Sequence, residues 1–297
     1  MNSSVKNNSL LLKIPVLSAF AAILIAVPLR VYQYLKLIDP TTGFYRENDF
    51  SVIVLYAVLV IVMVACMVLS YLNHKTIQPV TIGKGSKIFL AVSLLMALGA
   101  AVESVTLFSD FSNLFSDVSP YADKKAMTDY ISAQGGIIIL LQGIFAAVSA
   151  FYFAISGLAS QNENPKFKFR ILALAPVVWN VFRLLIRFKR TIAFVNVSDL
   201  LLELFAIVFA MVFFLALAQI RSKIDADNIF WKIYAYGIPA GLLAAISFIP
   251  RLILLITGNN ELINTLHPIN FSDLTLAVYI GYICISSLKA EPRKIDQ

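Results

Sequence analysis

The chain alternates between long apolar blocks and short polar connections. A run of about 18 or more apolar residues with few charges is typical of a helix that crosses a bilayer. Helices are expected because a bilayer core offers no water to exposed backbone groups, and the short alternating segments of a membrane barrel are not found in the sequence. The pattern predicts an all-α integral membrane protein with eight transmembrane helices: Ile14–Leu37, Val52–Leu72, Ile88–Phe108, Ile131–Ala159, Phe169–Phe188, Leu200–Ile220, Ile229–Ile256 and Phe271–Leu288.

Composition favours the same class of protein. Hydrophobic residues make up 59% of the 297 residues and charged residues only 14%, whereas a soluble domain carries about 25% charged residues. The connections are short, and no polar linker sets off a soluble part. We therefore interpret residues 1–297 as a single polytopic membrane domain in contact with the lipid bilayer.

The formal charge of +7 is explained better by membrane topology than by a nucleic-acid partner. With eight spans, basic residues in the connections on the side of both termini outnumber those on the other side, as the positive-inside rule requires. This bias predicts that both termini are cytoplasmic, in a plasma membrane. The basic connection that contains Arg187, Lys189 and Arg190 argues against this orientation.

A weak internal repeat appears when the helices are taken in pairs. The sixth and eighth helices begin with similar sequences, Asn196-Val197-Ser198-Asp199-Leu200 and Asn270-Phe271-Ser272-Asp273-Leu274. Repeats of this kind occur in transporters. The pattern predicts four pseudo-repeated antiparallel helical hairpins.

Four charged residues occupy similar depths near the outer ends of the odd-numbered helices: Arg30, Glu103, Arg183 and Arg251. A charge at the centre of a bilayer costs about 2.5–3.5 kcal/mol, so each of these residues requires an explanation. Arginine side chains this close to the interface could reach water by snorkelling. Alternatively, they could form ion pairs or bind a ligand.

The ion-pair hypothesis places one arginine and one aspartate in each hairpin. The hairpin that lacks the arginine also lacks the aspartate, which favours pairing. Glu203 lies one turn beyond Asp199, on the same helical face, where Arg183 or Arg187 could be its partner. The predicted structural pairs are Arg30 with Asp49, Arg183 with Asp199, and Arg251 with Asp273.

The ligand hypothesis uses the same residues differently. Arg30, Arg183 and Arg251 could converge with Glu103 on an outward-facing vestibule, a setting suited to a carboxylate or phosphate group. Paired arginines could also exchange a carboxylate partner for a ligand, so the two hypotheses overlap.

Two further features concern the connection before the fourth helix. Apolar residues from Phe108 to Val118 recur at helical spacing, which predicts a short amphipathic helix on the membrane surface. The glycines Gly135 and Gly136 predict a close crossing or a bend at the start of the fourth helix.

The sequence contains no motif that identifies a reaction. The chain has only two histidines, His74 and His267, and they lie in loops on opposite sides of the membrane, which excludes a His-Glu-x-x-His zinc protease. No Gly-x-Ser-x-Gly motif is present. We expect no metal or cofactor, and we favour two functions without catalysis. One is a binding or transport protein for a small anionic solute, and the other is a non-catalytic accessory subunit whose arginine–aspartate pairs hold the hairpins together. An enzyme that acts on lipid is a third alternative, which the scarcity of acid–base groups disfavours. The sequence does not indicate whether the chain has a partner subunit or forms a homo-oligomer.

Overall fold

The computed structural model describes residues 2–39, 44–75, 77, 83, 85–116, 123–161, 170–190, 197–222, 224, 226–263 and 269–289. Within these residues every regular element is a helix, and one isolated bridge joins Ile38 to Tyr45. The α-helices are α1 (Asn2–Lys36), α2 (Phe50–Leu72), α3 (Lys87–Ser116), α4 (Lys124–Ala133), α5 (Gly136–Ala159), α6 (Ala175–Arg190), α7 (Val197–Arg221), α8 (Ala226–Ile229), α9 (Trp231–Ile256) and α10 (Phe271–Lys289), with 3₁₀ turns at Arg170–Leu174 and Asn260–Leu262.

Eight helical segments of the described chain are long and apolar enough to cross a membrane. Seven of them are α1, α2, α3, α5, α7, α9 and α10, and the eighth joins the first 3₁₀ turn to α6. Large apolar side chains cover the outer surface: Leu24 is 76% exposed, Ile61 67% and Phe151 61%. So much exposed apolar surface suits lipid and not water. The prediction of an all-helical, multi-pass membrane protein is confirmed.

Helix α9 lies at the centre of the bundle. It packs against α1, α2, α7 and α10, and 72% of its most apolar stretch is buried, compared with 17% for α2. Small residues such as Gly237, Ala240 and Ala244 are buried along it, which lets neighbouring helices approach closely.

Consecutive membrane-spanning helices also pack against each other in pairs: α1 with α2, α3 with α5, α6 with α7, and α9 with α10. The predicted repeat among these pairs stays a prediction.

The fourth apolar block contains two helices and not one. Helix α4 ends at Ala133, and α5 begins at Gly136. Between them Gly135 has a φ of +79°, a left-handed conformation that glycine adopts without the steric cost of a side chain. The bend predicted at the two glycines is therefore a break that separates an exposed helix from a membrane-spanning one.

The predicted surface helix that begins at Phe108 is instead a continuation of α3, which runs for 30 residues to Ser116. At 1.5 Å per residue its length is about 45 Å, which exceeds the hydrocarbon core of a bilayer. Phe111 and Leu114 in this extension pack against a buried cluster on α3, α5 and α6, so tertiary contacts continue the helix. The remainder of the predicted segment, residues 117–118, lies outside the described residues.

Two glycines provide a test of this packing. A methyl group at Gly99 of α3 would collide with the buried side chain of Thr275 on α10, whereas a methyl group at Gly281 would meet open space. We expect Gly99→Ala to reduce the free energy of unfolding by roughly 1–3 kcal/mol through overpacking. Gly281→Ala should leave it unchanged or raise it by about 0.5–1 kcal/mol, because alanine favours a helix.

The measurement is reversible unfolding of each variant in mixed micelles, followed by circular dichroism. Equal stability of the two alanine variants would contradict the close approach of α3 and α10.

Candidate functional site

Buried charges meet at one end of the helix bundle, which we call the network end. There α1, α6 and α9 end and α7 and α10 begin, so arginines near helix ends lie beside acids near helix starts. The cluster, which we name the charge network, comprises four arginines and four acids from six helices: Arg30, Glu103, Arg183, Arg187, Asp199, Glu203, Arg251 and Asp273.

Asp199 on α7 is shared by two arginines. Nη2 of Arg30 forms an ion pair with its Oδ1, and Nη2 of Arg251 lies 3.4 Å from its Oδ2. The Tyr34 hydroxyl donates a third contact to Asp199 at 2.6 Å. Arg30 is 1% exposed and Asp199 7%, so these charges compensate one another out of contact with solvent.

Glu203 extends the network by one turn of α7. It lies four residues after Asp199, on the same face of the helix. Nη1 of Arg251 lies 2.7 Å from its Oε1, and Nη2 of Arg187 lies 3.0 Å from its Oε2. Arg251 therefore bridges both acids of α7, and Arg187 is the partner of Glu203.

Arg183 on α6 joins α3 to α10. Its Nη2 lies 2.5 Å from Oδ1 of Asp273, and its Nε lies 3.4 Å from Oε1 of Glu103. Glu103 also accepts hydrogen bonds from Gln142 Nε2 at 2.8 Å and from Trp179 Nε1 at 3.1 Å. The guanidinium lies over the Trp179 ring, 5.2 Å from its centroid, a favourable cation–π arrangement.

Arg30 also contacts the connection between α1 and α2, on the side of its guanidinium away from Asp199. Its Nη1 donates to Gln33 at 3.0 Å and to the Tyr45 hydroxyl at 2.7 Å. Tyr45 in turn donates to Gln33 at 3.1 Å. The connection is thus tied directly to a buried arginine.

The predicted partner of Arg30 is wrong. Asp49 lies at the N-cap of α2, where its Oδ1 accepts a hydrogen bond from the backbone N–H of Ser51 at 2.7 Å. This is the usual role of an aspartate that precedes a helix. Arg30 pairs across the bundle with Asp199 instead.

The other two predicted pairs are also wrong. Arg183 was expected to pair with Asp199 but contacts Asp273 and Glu103. Arg251 was expected to pair with Asp273 but contacts Asp199 and Glu203. The sequence rule assumed that each arginine faces the next helix of its own hairpin. Central α9 packs against α7 as well as α10, which lets Arg251 reach Asp199 and Glu203. The pairs of Arg30, Arg183 and Arg251 all cross between hairpins, whereas Arg187 and Glu203 pair within one.

A cavity of about 220 Å³ lies beside the Arg183–Glu103 pair, between α3, α5, α6 and the start of α10. Its wall includes the exposed residue Thr106, so it reaches the protein surface. Its charged or amide-bearing lining residues are Glu103, Asp110, Gln142, Arg183, Arg187 and Asn270.

Four buried polar atoms of residues that line this cavity have no hydrogen-bond partner among the described residues. One is the hydroxyl oxygen of Ser272, and the other three are Nη1 of Arg183, Oε2 of Glu103 and Oε1 of Gln142. The Arg183 side chain is 5% exposed and that of Glu103 10%. Leaving a buried polar group unsatisfied costs about 1–3 kcal/mol. The charged and amide side chains of the wall therefore offer one strong donor and two acceptors to a molecule in the cavity, and the Ser272 hydroxyl can either donate or accept.

A second, much smaller cavity joins the two parts of the network. It has a volume of about 10 Å³ and is bordered by Arg183, Arg187, Glu203 and Asp273. This is about the smallest cavity volume that can hold one water molecule. The charge network is thus continuous from Arg30 to the wall of the larger cavity.

The structure divides the four predicted ligand residues into two groups. Arg183 and Glu103 lie together on the cavity wall. Arg30 and Arg251 are absent from the described residues that line it, and both are buried within the ion pairs. Among the described residues, the three arginines therefore do not converge on this cavity.

The sequence prediction missed two aromatic members of the site. Tyr34 lies four residues after Arg30, and Trp179 lies four residues before Arg183. This spacing places each on the same helical face as its arginine, so it could have identified them. Gln142 is a polar residue within an apolar block of the sequence, but its contact with Glu103 depends on how α3 and α5 pack.

No protein-family model, curated protein or solved structure matches the chain. Within the described ranges, no group of three or more His, Cys, Asp or Glu side chains is arranged to hold a metal ion. The site must therefore be interpreted from its own geometry.

Replacing Asp199 and Asp49 by asparagine tests the pairing. We expect Asp199→Asn to reduce the free energy of unfolding by roughly 3–5 kcal/mol, because two buried arginines lose their shared carboxylate. Asp49→Asn should change it by no more than about 0.5 kcal/mol, because asparagine caps a helix as well as aspartate does.

Both variants keep the side-chain volume, so the comparison isolates the charge. The free energy of unfolding of each variant is measured in mixed micelles. A similar reduction for the two variants would contradict the assignment of Asp199 as the buried partner.

Proposed function

We propose that this protein binds, and as a transporter translocates, a small solute that carries an anionic group, and that the site is the cavity beside Arg183 and Glu103. The main support is the set of buried, unpartnered polar atoms on the cavity wall. A guanidinium N–H that already has the correct orientation can bind a carboxylate or phosphate oxygen without reorganisation.

The proposed binding residues differ from those expected from the sequence alone. Arg183 and Glu103 are kept, and Gln142 and Arg187 join them because they border the same cavity. Arg30 and Arg251 are assigned a supporting role, since their contacts fix the acids that hold the rest of the network in place.

We place the protein in a plasma membrane with both termini in the cytoplasm, on the basis of the charge bias of the connections. In this orientation the network end is extracellular and the cavity accepts solute from outside. The four packed helix pairs are proposed to be pseudo-repeats. We propose no catalytic step, and energy for transport would come from an ion gradient or a partner ATPase.

A second candidate is a non-catalytic accessory subunit. It is favoured by the pairing itself, because each of Arg30, Arg183 and Arg251 has an acidic partner and the network holds six helices together. In that case the cavity is a by-product of packing, and no solute stabilises the protein. The two functions are therefore separated by a binding measurement.

We expect at least one small carboxylate- or phosphate-bearing metabolite to raise the thermal unfolding midpoint of the detergent-purified protein. At 100 times its dissociation constant a ligand stabilises the fold by about 2.7 kcal/mol. Arg183→Lys should weaken this binding by about tenfold or more, because lysine keeps the charge but loses the fixed N–H geometry of the guanidinium.

Arg251→Lys is the matched control, since Arg251 belongs to the network but does not border the cavity among its described residues. Equal weakening by both variants would assign the effect to the network as a whole. Failure of every metabolite to stabilise the unaltered protein would reject the binding function in favour of the accessory subunit.

A further inference from the structure

Among the described residues, the charge network and the cavity wall each carry as many basic as acidic side chains. The network contains four arginines and four acids. The cavity wall carries two arginines, Arg183 and Arg187, and two acids, Glu103 and Asp110. Building on the proposed function, we propose that the solute is a small zwitterion of the amino-acid type, with a carboxylate and an ammonium group close together.

The equal number of basic and acidic side chains disfavours a solute that is a simple anion. A solute with only a negative charge would leave the buried cluster with one uncompensated charge, which is costly in a low-dielectric environment. It would also lie beside the carboxylates of Glu103 and Asp110. A simple cation meets the same difficulty beside Arg183 and Arg187. A zwitterion adds no net charge and satisfies both signs.

The unpartnered atoms define how such a solute is held. Nη1 of Arg183 is a donor, and it matches a carboxylate oxygen of the solute. Oε2 of Glu103 and Oε1 of Gln142 are acceptors, and they match two of the three N–H bonds of an ammonium group.

The side chains that supply the donor and one of the acceptors for the solute lie close together. Nε of Arg183 and Oε1 of Glu103 are 3.4 Å apart, so the donor and the acceptor belong to side chains in contact. The charges of the solute must be similarly close, as they are in an α- or β-amino acid.

The volume of the cavity limits the size of the solute. A cavity of about 220 Å³ has roughly the volume of seven water molecules in the liquid. A solute of glycine, alanine or serine size fits this space. The proposal thus specifies charge, charge separation and size.

The direct test measures binding to the unaltered, full-length protein in detergent. Glycine, alanine, serine and β-alanine are compared with acetate and propionate, which lack the ammonium group, and with ethylamine, which lacks the carboxylate. We expect at least one amino acid to bind about tenfold or more tightly than the corresponding carboxylate and amine.

Different results of this experiment would reject the zwitterion inference alone or the binding function as well. If acetate or propionate binds as tightly as the amino acids, the zwitterion inference is overturned while the binding function stands. If none of these compounds binds but phosphate-bearing metabolites do, the inference is again overturned alone. If nothing binds, both proposals are rejected.

Two variants test the ammonium contacts. Glu103→Gln should weaken amino-acid binding by about tenfold and leave carboxylate binding unchanged or tighter. Gln142→Met removes the second acceptor with little change in side-chain volume, and it should also weaken amino-acid binding. It replaces Glu103→Gln as the test if that variant does not fold. Arg251→Lys serves as the control in which the ratio of amino-acid to carboxylate affinity is unchanged. An unchanged ratio in both cavity variants would contradict the proposed contacts.

Discussion

The cost of burying a charge in a membrane protein determines how this bundle is organised. Arg30, Arg183 and Arg251 lie where an isolated guanidinium would be unstable, and each is compensated by a carboxylate from another helix. Because the partners come from different hairpins, satisfying the charges also fixes which helices lie side by side. The apolar packing around central α9 and the network therefore specify the same arrangement.

The cavity follows from the same constraint. Arg183 must reach Asp273 on α10 and Glu103 on α3 at once, and the space between these helices and α5 is not filled by side chains. A purely structural network would be most stable with every donor and acceptor satisfied. The unpartnered atoms of Arg183, Glu103 and Gln142 depart from that rule, and all three belong to residues that line this cavity. This is why we interpret the wall as a binding surface.

Much of the fold could be predicted from the sequence. The eight apolar blocks were recognisable because a membrane-spanning helix needs a long apolar run, and the charged residues within them stood out for the same reason. A crossing or bend was predicted at Gly135, but not that the helix breaks there, because the break depends on the left-handed conformation of this glycine. The extension of α3 to Ser116 could not be predicted, because it depends on contacts of Phe111.

The pairing could not be predicted because sequence proximity is a poor guide to proximity in a bundle. Asp49 and Asp199 both precede a membrane-spanning segment, and nothing in the local sequence says that one caps its own helix while the other faces two arginines. That distinction depends on the position of α9.

A double-mutant cycle tests most directly the claim that the charges couple across hairpins. Arg30→Met is combined with Asp199→Asn in one cycle and with Asp49→Asn in another, and the free energy of unfolding is measured for each protein. We predict a coupling energy of about 1–3 kcal/mol for Arg30 with Asp199, and no more than about 0.5 kcal/mol for Arg30 with Asp49. A large coupling with Asp49, or none with Asp199, would contradict the network on which this account rests.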